Sequence, residues 1–221
     1  MGVYELRLFE DLIESGGAIE PALPPCKRVL YVVEGSMGVV GEAREWQANS
    51  AWFGTGPCSV KAGAEGVRMW RWELAESLLA HEGLASGSGV SSRAKKQDQI
   101  ELDSQDEYLM RCDRVDFPLG GIAYTHIHAG PGTRCLLEGT LDVQLDDGEE
   151  IFVEPGGVWF ERGPDPIYAQ ASEEVLTSFI RAMVLPRSYR GKSSITYVKA
   201  EEADKPKRQE YTRFVDEFID L

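Results

Sequence analysis

Residues 134–145 read RCLLEGTLDVQL, and residues 30–40 read LYVVEGSMGVV. Each is a short apolar run, a Glu-Gly step, and a second run in which apolar and polar residues alternate. Alternation with period two puts every second side chain on one face, as a half-buried β-strand requires, and Glu-Gly supplies the turn. The two passages belong to a longer internal repeat, because a Trp-Phe-x-x-Gly-Pro string follows at Trp52 to Pro57 and again at Trp159 to Pro164. Further joints carry Asp147-Gly148 and Pro155-Gly156-Gly157, which suit antiparallel strands linked by tight turns. The chain reads as all-β, with one small barrel or sandwich in each copy.

Composition shifts set the boundaries. The first barrel is expected over residues 1–74. Residues 75–98 (AESLLAHEGLASGSGVSSRAKKQD) turn Gly/Ser-rich and then charged, so they are expected to be a linker, with His81 on its surface. The second barrel is expected over 99–198, followed by a tail over 199–221. In that tail Pro206 can open a helix, and Tyr211, Phe214, Val215, Phe218 and Ile219 fall at helical spacing, which predicts an amphipathic helix covering a barrel or a partner subunit.

The 221 residues are 43% apolar and 27% charged, with five Trp and eight Phe, a composition that folds. No stretch is long and apolar enough to span a membrane, and the amino terminus lacks the pattern of a secretory signal. The four cysteines, Cys26, Cys58, Cys112 and Cys135, stand far apart with no CxxC pair, which predicts free thiols in a cytoplasmic protein. A formal net charge of -14 repels a polyphosphate backbone, so nucleic acid is excluded as a partner, and any anion site must be built locally by placed arginines. The glycine-rich nucleotide loops and the G-x-S-x-G nucleophile elbow are absent.

Residues 124–139, YTHIHAGPGTRCLLEG, hold two of the three histidines. On a strand, His126 and His128 share a face and can converge on one ion, or they can line a pocket without one. With Gly120 before the pair and Gly139 after it, the sequence resembles the cupin superfamily, whose first motif runs glycine, H-x-H, glutamate, glycine. Its second motif is met in outline by Gly156, Glu161, Gly163, Pro166 and Gln170. The resemblance covers both copies and so implies a bicupin. Two departures stand out: the family's glutamate ligand falls on Gly132 and its second-motif histidine on Pro166, while the first copy has no histidine in its barrel.

The resemblance implies chemistry on a small, anionic metabolite, of oxidation, isomerisation, lyase or hydrolytic type. A divalent iron, manganese, nickel or zinc would be held by His126, His128 and a carboxylate, with Glu161 the first candidate ahead of Asp165 and Glu138. Glu161 could equally hydrogen-bond a histidine. If Gly132 faces inward, so does Arg134, either clamping a substrate carboxylate or pairing with Glu161 or Asp165. Tyr168 and Gln170 share the face of the lost histidine and are expected to line the same pocket. The rival reading is a metal-free binding or sensing module without catalysis. A third is a purely structural oligomer, and a homodimer is expected under each.

Overall fold

The structure is a computed structural model and describes residues 1–76, 83–146 and 148–221. The surface position expected for His81 lies outside these residues. The chain divides into two units, Met1–Gln105 and Asp106–Leu221, and antiparallel strands are the main element of both.

In the first unit, β1 (Gly2–Ile13), β2 (Lys27–Val39), β3 (Glu45–Gln47), β4 (Ser50–Gly54), β5 (Val60–Glu76) and β6 (Val90–Leu102) form a sheet ordered β3-β2-β5-β1-β6, with β4 also on β2. The first half of β2 pairs with β4 and its second half with β3. Between the halves, at Glu34-Gly35, the ladder to β5 shifts register. Gly35 has φ of +74°, and a Cβ there would sit 2.1 Å from the Gly66 carbonyl oxygen, so no larger residue fits this corner. Leu30, Val32, Met37, Val60 and Met69 pack beneath it as the core.

The second unit repeats the plan with the corner cut through. It contains β7 (Tyr108–Phe117), β8 (Ile122–His128), β9 (Gly132–Glu138), β10 (Leu141–Gln144), β11 (Glu150–Val153), β12 (Val158–Glu161), β13 (Ile167–Ala171), β14 (Thr177–Pro186), β15 (Ile195–Tyr197) and β16 (Glu210–Ile219). Two five-stranded sheets result, ordered β11-β10-β13-β8-β15 and β12-β9-β14-β7-β16. β9 and β10 correspond to the halves of β2, separated by Glu138-Gly139, where Gly139 has φ of +77° and a Cβ would meet the Leu176 carbonyl oxygen at 2.4 Å. Glu138-Gly139 is thus the corner at which the chain passes from one sheet to the other, and Glu34-Gly35 is its counterpart within the single sheet of the first unit. Leu136, Leu141, Val143, Val153, Trp159, Ile167 and Phe179 fill the space between the sheets, each contributing roughly 1.5–3 kcal/mol through burial. The fold is an all-β jelly roll.

Two expectations need correction. The tail is not a helix: Glu210–Ile219 is strand β16, paired with β7 from Glu210↔Asp116 to Ile219↔Tyr108. A register shift between Arg213 and Val215 switches which residues face inward. Apolar side chains drawn from both faces of a bulged strand therefore reproduce a helical spacing. The only α-helix among the described residues is the single turn α1 (Ala200–Ala203). The linker expected over 75–98 is likewise shorter, because β5 runs to Glu76 and β6 begins at Val90, pairing with β1 from Ile13↔Val90 to Gly2↔Leu102. An edge strand needs only a backbone ladder, so polar composition does not exclude it. In topology β6 and β16 are equivalent, each adding an outer strand beside the first strand of its unit.

Candidate binding site in the second unit

β8 carries both histidines and lies between β13 and β15, with Ile167 opposite His126 on one side and Ile195 opposite His128 on the other. In the first unit the matching segment forms no named strand among the described residues; it is held by the bridges Ala18↔Lys61 and Leu23↔Cys58 and by separate backbone hydrogen bonds. Period-two alternation sends His126 and His128 into the interior, where they are 5% and 4% exposed. Their rings meet edge to face with centroids 4.8 Å apart.

His126 Nδ1–H donates to the Tyr124 carbonyl at 2.7 Å, which leaves its Nε2 as an acceptor. That atom lies 3.2 Å from His128 Nε2. His128 Nε2 is also 3.3 Å from Glu161 Oε2, and its Nδ1 is 3.2 Å from Ser194 Oγ. One tautomer satisfies the whole set: Ser194 donates to His128 Nδ1, and the His128 Nε2–H points between His126 Nε2 and Glu161. Burial lowers the pKa of both rings, His128 well below the usual histidine range with Arg134, Arg181 and His126 adding to the effect, so the pair is neutral near pH 7.

Arg134 comes from β9, opposite Trp159 of β12 and Arg181 of β14. It is fully buried. Its guanidinium is in ion-pair contact with Glu161 and donates to the Gly132 carbonyl. Glu161 also accepts the Trp159 indole N–H at 2.9 Å. Burial brings the Arg134 pKa down to about 10, with the Glu161 charge opposing and Arg181 reinforcing that shift, so it stays charged at neutral pH. A Cβ on Gly132 would come within 2.7 Å of the Met183 side chain and 3.1 Å of Arg134 Nη1. The position where the cupin motif carries a glutamate ligand therefore holds no side chain, and a cation lies beside it.

These groups border a cavity of about 30 Å³, room for a water or two. Residues with no motif around them complete it. Arg181 is held by Asp113 through two contacts of 2.6 and 3.1 Å. Tyr211 comes from β16 and Ile195 from β15, and Val115, Phe117, Leu141 and Phe179 form the apolar walls. Asp113 has a signal in the sequence, since it shares strand parity with Val115 and Phe117. Tyr211 has none, because the spacing of its strand imitates a helix. Tyr168 and Gln170 do not line the cavity. Ile167 and Ala169 do, so alternation turns Tyr168 and Gln170 to the opposite face, where the Tyr168 hydroxyl donates to Gln170 Oε1 at 3.2 Å. Asp165 pairs with Arg162, and Glu138 with Arg114, both away from the histidines.

The donor types suit a divalent ion, and ligands at about 2.1 Å and right-angled to tetrahedral spacing would lie roughly 3.0–3.4 Å apart, as the 3.2 and 3.3 Å separations do. The arrangement as a whole does not fit one. Glu161 is committed to Arg134 and Trp159, and a second guanidinium borders the same space. Among the described residues no group of three or more His, Cys, Asp or Glu side chains is disposed to hold a metal.

No protein-family model matches the chain, and no curated protein matches it in sequence. Solved structures do match in fold. AerE from Microcystis aeruginosa shares 14% identity over 83% of this chain and 93% of its own, with a TM-score of 0.59. Oxalate decarboxylase from Bacillus subtilis, in its structure at pH 4.6, shares 10% identity over 93% of this chain and 76% of its own, with a TM-score of 0.62; the same decarboxylase has been described for its Mn(II) centers. Ylba from E. coli shares 16% identity over 80% and 76%, with a TM-score of 0.51. These are cupin-fold proteins, and at such identities the likeness establishes that this chain shares their fold.

Proposed function

We propose that the chain is a bicupin whose second unit binds a small anionic molecule at the cluster of Arg134, His126, His128 and Glu161, without a metal of the usual cupin kind. One observation carries this reading: the buried Arg134 guanidinium stands beside Gly132, where a metal site would need a carboxylate, and among the described residues the Glu161 side chain is its ion-pair partner. A guanidinium in an apolar cavity demands an anion, and Glu161 fills that role in the absence of ligand. The two neutral imidazoles add hydrogen-bonding capacity without charge. Metal analysis of protein purified without added metal, together with calorimetric titration of small carboxylates, tests the proposal. Anion binding by metal-free protein that is lost in Arg134→Gln supports it; stoichiometric iron, manganese, nickel or zinc that disappears on replacing both histidines overturns it.

A second reading has its own support in the Nε2–Nε2 separation of 3.2 Å. If Glu161 left Arg134, His126, His128 and Glu161 would supply two nitrogens and an oxygen to a divalent ion, and such an ion would provide Lewis-acid chemistry there. The same metal analysis decides between the two.

The wider setting is part of the proposal. Free, buried Cys26, Cys58, Cys112 and Cys135 suit a reducing, cytoplasmic compartment. The outer strands β6 and β16 each lack a ladder partner on one side among the described residues, which supports a homodimer, measurable by sedimentation. The net charge of -14 argues against nucleic acid as a partner. No helix among the described residues is long and apolar enough to cross a membrane.

A further inference from the structure

We infer that the anion is a monocarboxylate with a short apolar body, and that it enters by replacing the Glu161 carboxylate on Arg134. The inference rests on the binding function proposed above and names its ligand class. Two guanidiniums border the cavity, but they are not equivalent. Arg181 is held in a fork by the buried Asp113 carboxylate at 2.6 and 3.1 Å. Both its charge and its geometry are already satisfied by a group that has nowhere else to go. Among the described residues Arg134 has the Glu161 carboxylate, whose side chain lies at the border of a wider hollow, and one backbone carbonyl, and its buried Nε makes no hydrogen bond. One exchangeable cation admits one negative charge. A second carboxylate on the ligand would face hydrocarbon or the Arg181 fork already taken by Asp113, and would lose its hydration uncompensated.

The remaining wall decides the body of the ligand. Val115, Phe117, Leu141, Ile167 and Phe179 surround the space beyond the charged end, so a sugar or other polyol would leave hydroxyls unpaired there while a branched alkyl group would not. The cavity of about 30 Å³ is too small for such a molecule while Glu161 occupies its edge. A second hollow, of about 350 Å³, lies next to it and is lined by Asp146, Arg162 and Asp165. Glu161 and Ile167 line both spaces. The Glu161 side chain can therefore swing into the outer hollow as the ligand carboxylate takes its place on Arg134. The exchange is one charge for one charge, so the interior stays neutral, and His128 can donate to the second oxygen of the incoming group.

The test is a titration of the full-length protein with isobutyrate, its neutral counterpart isobutyramide, and malonate, in wild type, Glu161→Gln and Arg134→Gln. Folding of each variant is checked by circular dichroism. Isobutyrate is expected to bind wild type, with isobutyramide and malonate at least about tenfold weaker. Glu161→Gln, which removes the internal competitor, is expected to tighten isobutyrate about tenfold or more, and Arg134→Gln to weaken it about tenfold to a hundredfold, the range for a charged hydrogen bond. Malonate binding as tightly as isobutyrate, with both lost in Arg134→Gln, overturns the ligand class and leaves the anion site standing. Isobutyrate binding unchanged by both substitutions overturns the exchange. Failure of wild type and Glu161→Gln to bind any of the carboxylates overturns the parent function as well.

Discussion

Replacing Arg134 by methionine isolates the contact on which the site is built. Arg134 is 0% and Glu161 8% exposed, so removing the guanidinium strands a carboxylate inside the second unit. Breaking a buried pair from one side costs about 3–5 kcal/mol. Methionine has a similarly long, unbranched chain, so little cavity penalty is added, and the Trp159 indole N–H at 2.9 Å still serves Glu161; the lower end, about 3 kcal/mol, is expected. For a chain of this length each kcal/mol moves the melting point by roughly 2–4 °C. The double variant Arg134→Met with Glu161→Gln carries no buried charge at this pair and should recover at least ~2 kcal/mol of that loss. Urea unfolding followed by tryptophan fluorescence measures all three. A loss below about 1 kcal/mol in Arg134→Met, or a double variant no more stable than the sum of the singles, would show that the ion pair is not what holds this end of the barrel.

Acid should loosen the first unit through Glu10. Burial opposes its ionisation, but hydrogen bonds from Arg93 and Trp70 and the charges of Lys95 and Arg68 outweigh that and hold its pKa at about 2 against an ordinary 4.5. Because the folded value is the lower one, its contribution is full above about pH 4.5 and is lost as pH falls towards 2. Arg93 is largely solvent-exposed, so screening leaves on the order of 1–2 kcal/mol. Glu10→Gln should flatten that part of the stability curve, and an unchanged acid limb would rule the residue out. Gly139→Ala, with φ of +77° and backbone at 2.4 Å, should destabilise by at least ~1 kcal/mol more than Gly41→Ala, where φ is +96° but nothing lies within 4 Å; equal losses in chemical denaturation would contradict the corner assigned to it. The four buried thiols should resist a thiol reagent until the protein is unfolded, burial holding Cys26 up at about 11; fast labelling of the native chain would contradict this.

Much of the architecture can be read from the chain because its determinants are local. The Glu-Gly corners at Gly35 and Gly139 and the alternation around them are set by φ and by side-chain parity, and both show in a few consecutive letters. The outer strands are hidden for the opposite reason. β6 has few apolar side chains, and β16 carries a bulge that breaks its period, so each owes its strand conformation to the ladder offered by β1 or β7, far away in sequence. At the site, the H-x-H spacing is enough to bring the two imidazoles together. The contact of Arg134 with Glu161, by contrast, depends on the register of β9 against β12, which no short motif encodes. Tyr168 and Gln170 fall on the other face because Ile167, not Pro166, stands opposite His126, and unbroken alternation along β13 then turns Ile167 and Ala169 inward.

β15 is three residues long, yet without it the histidine strand would be the rim of its sheet. Flanked on both sides, the backbone of the histidine strand is fixed between β13 and β15. Ser194 Oγ meets His128 and the Tyr197 ring lies beside His126, so a short segment outside the repeat touches both imidazoles. Grafting a different segment there would retune the pocket while leaving the sheets of both units intact.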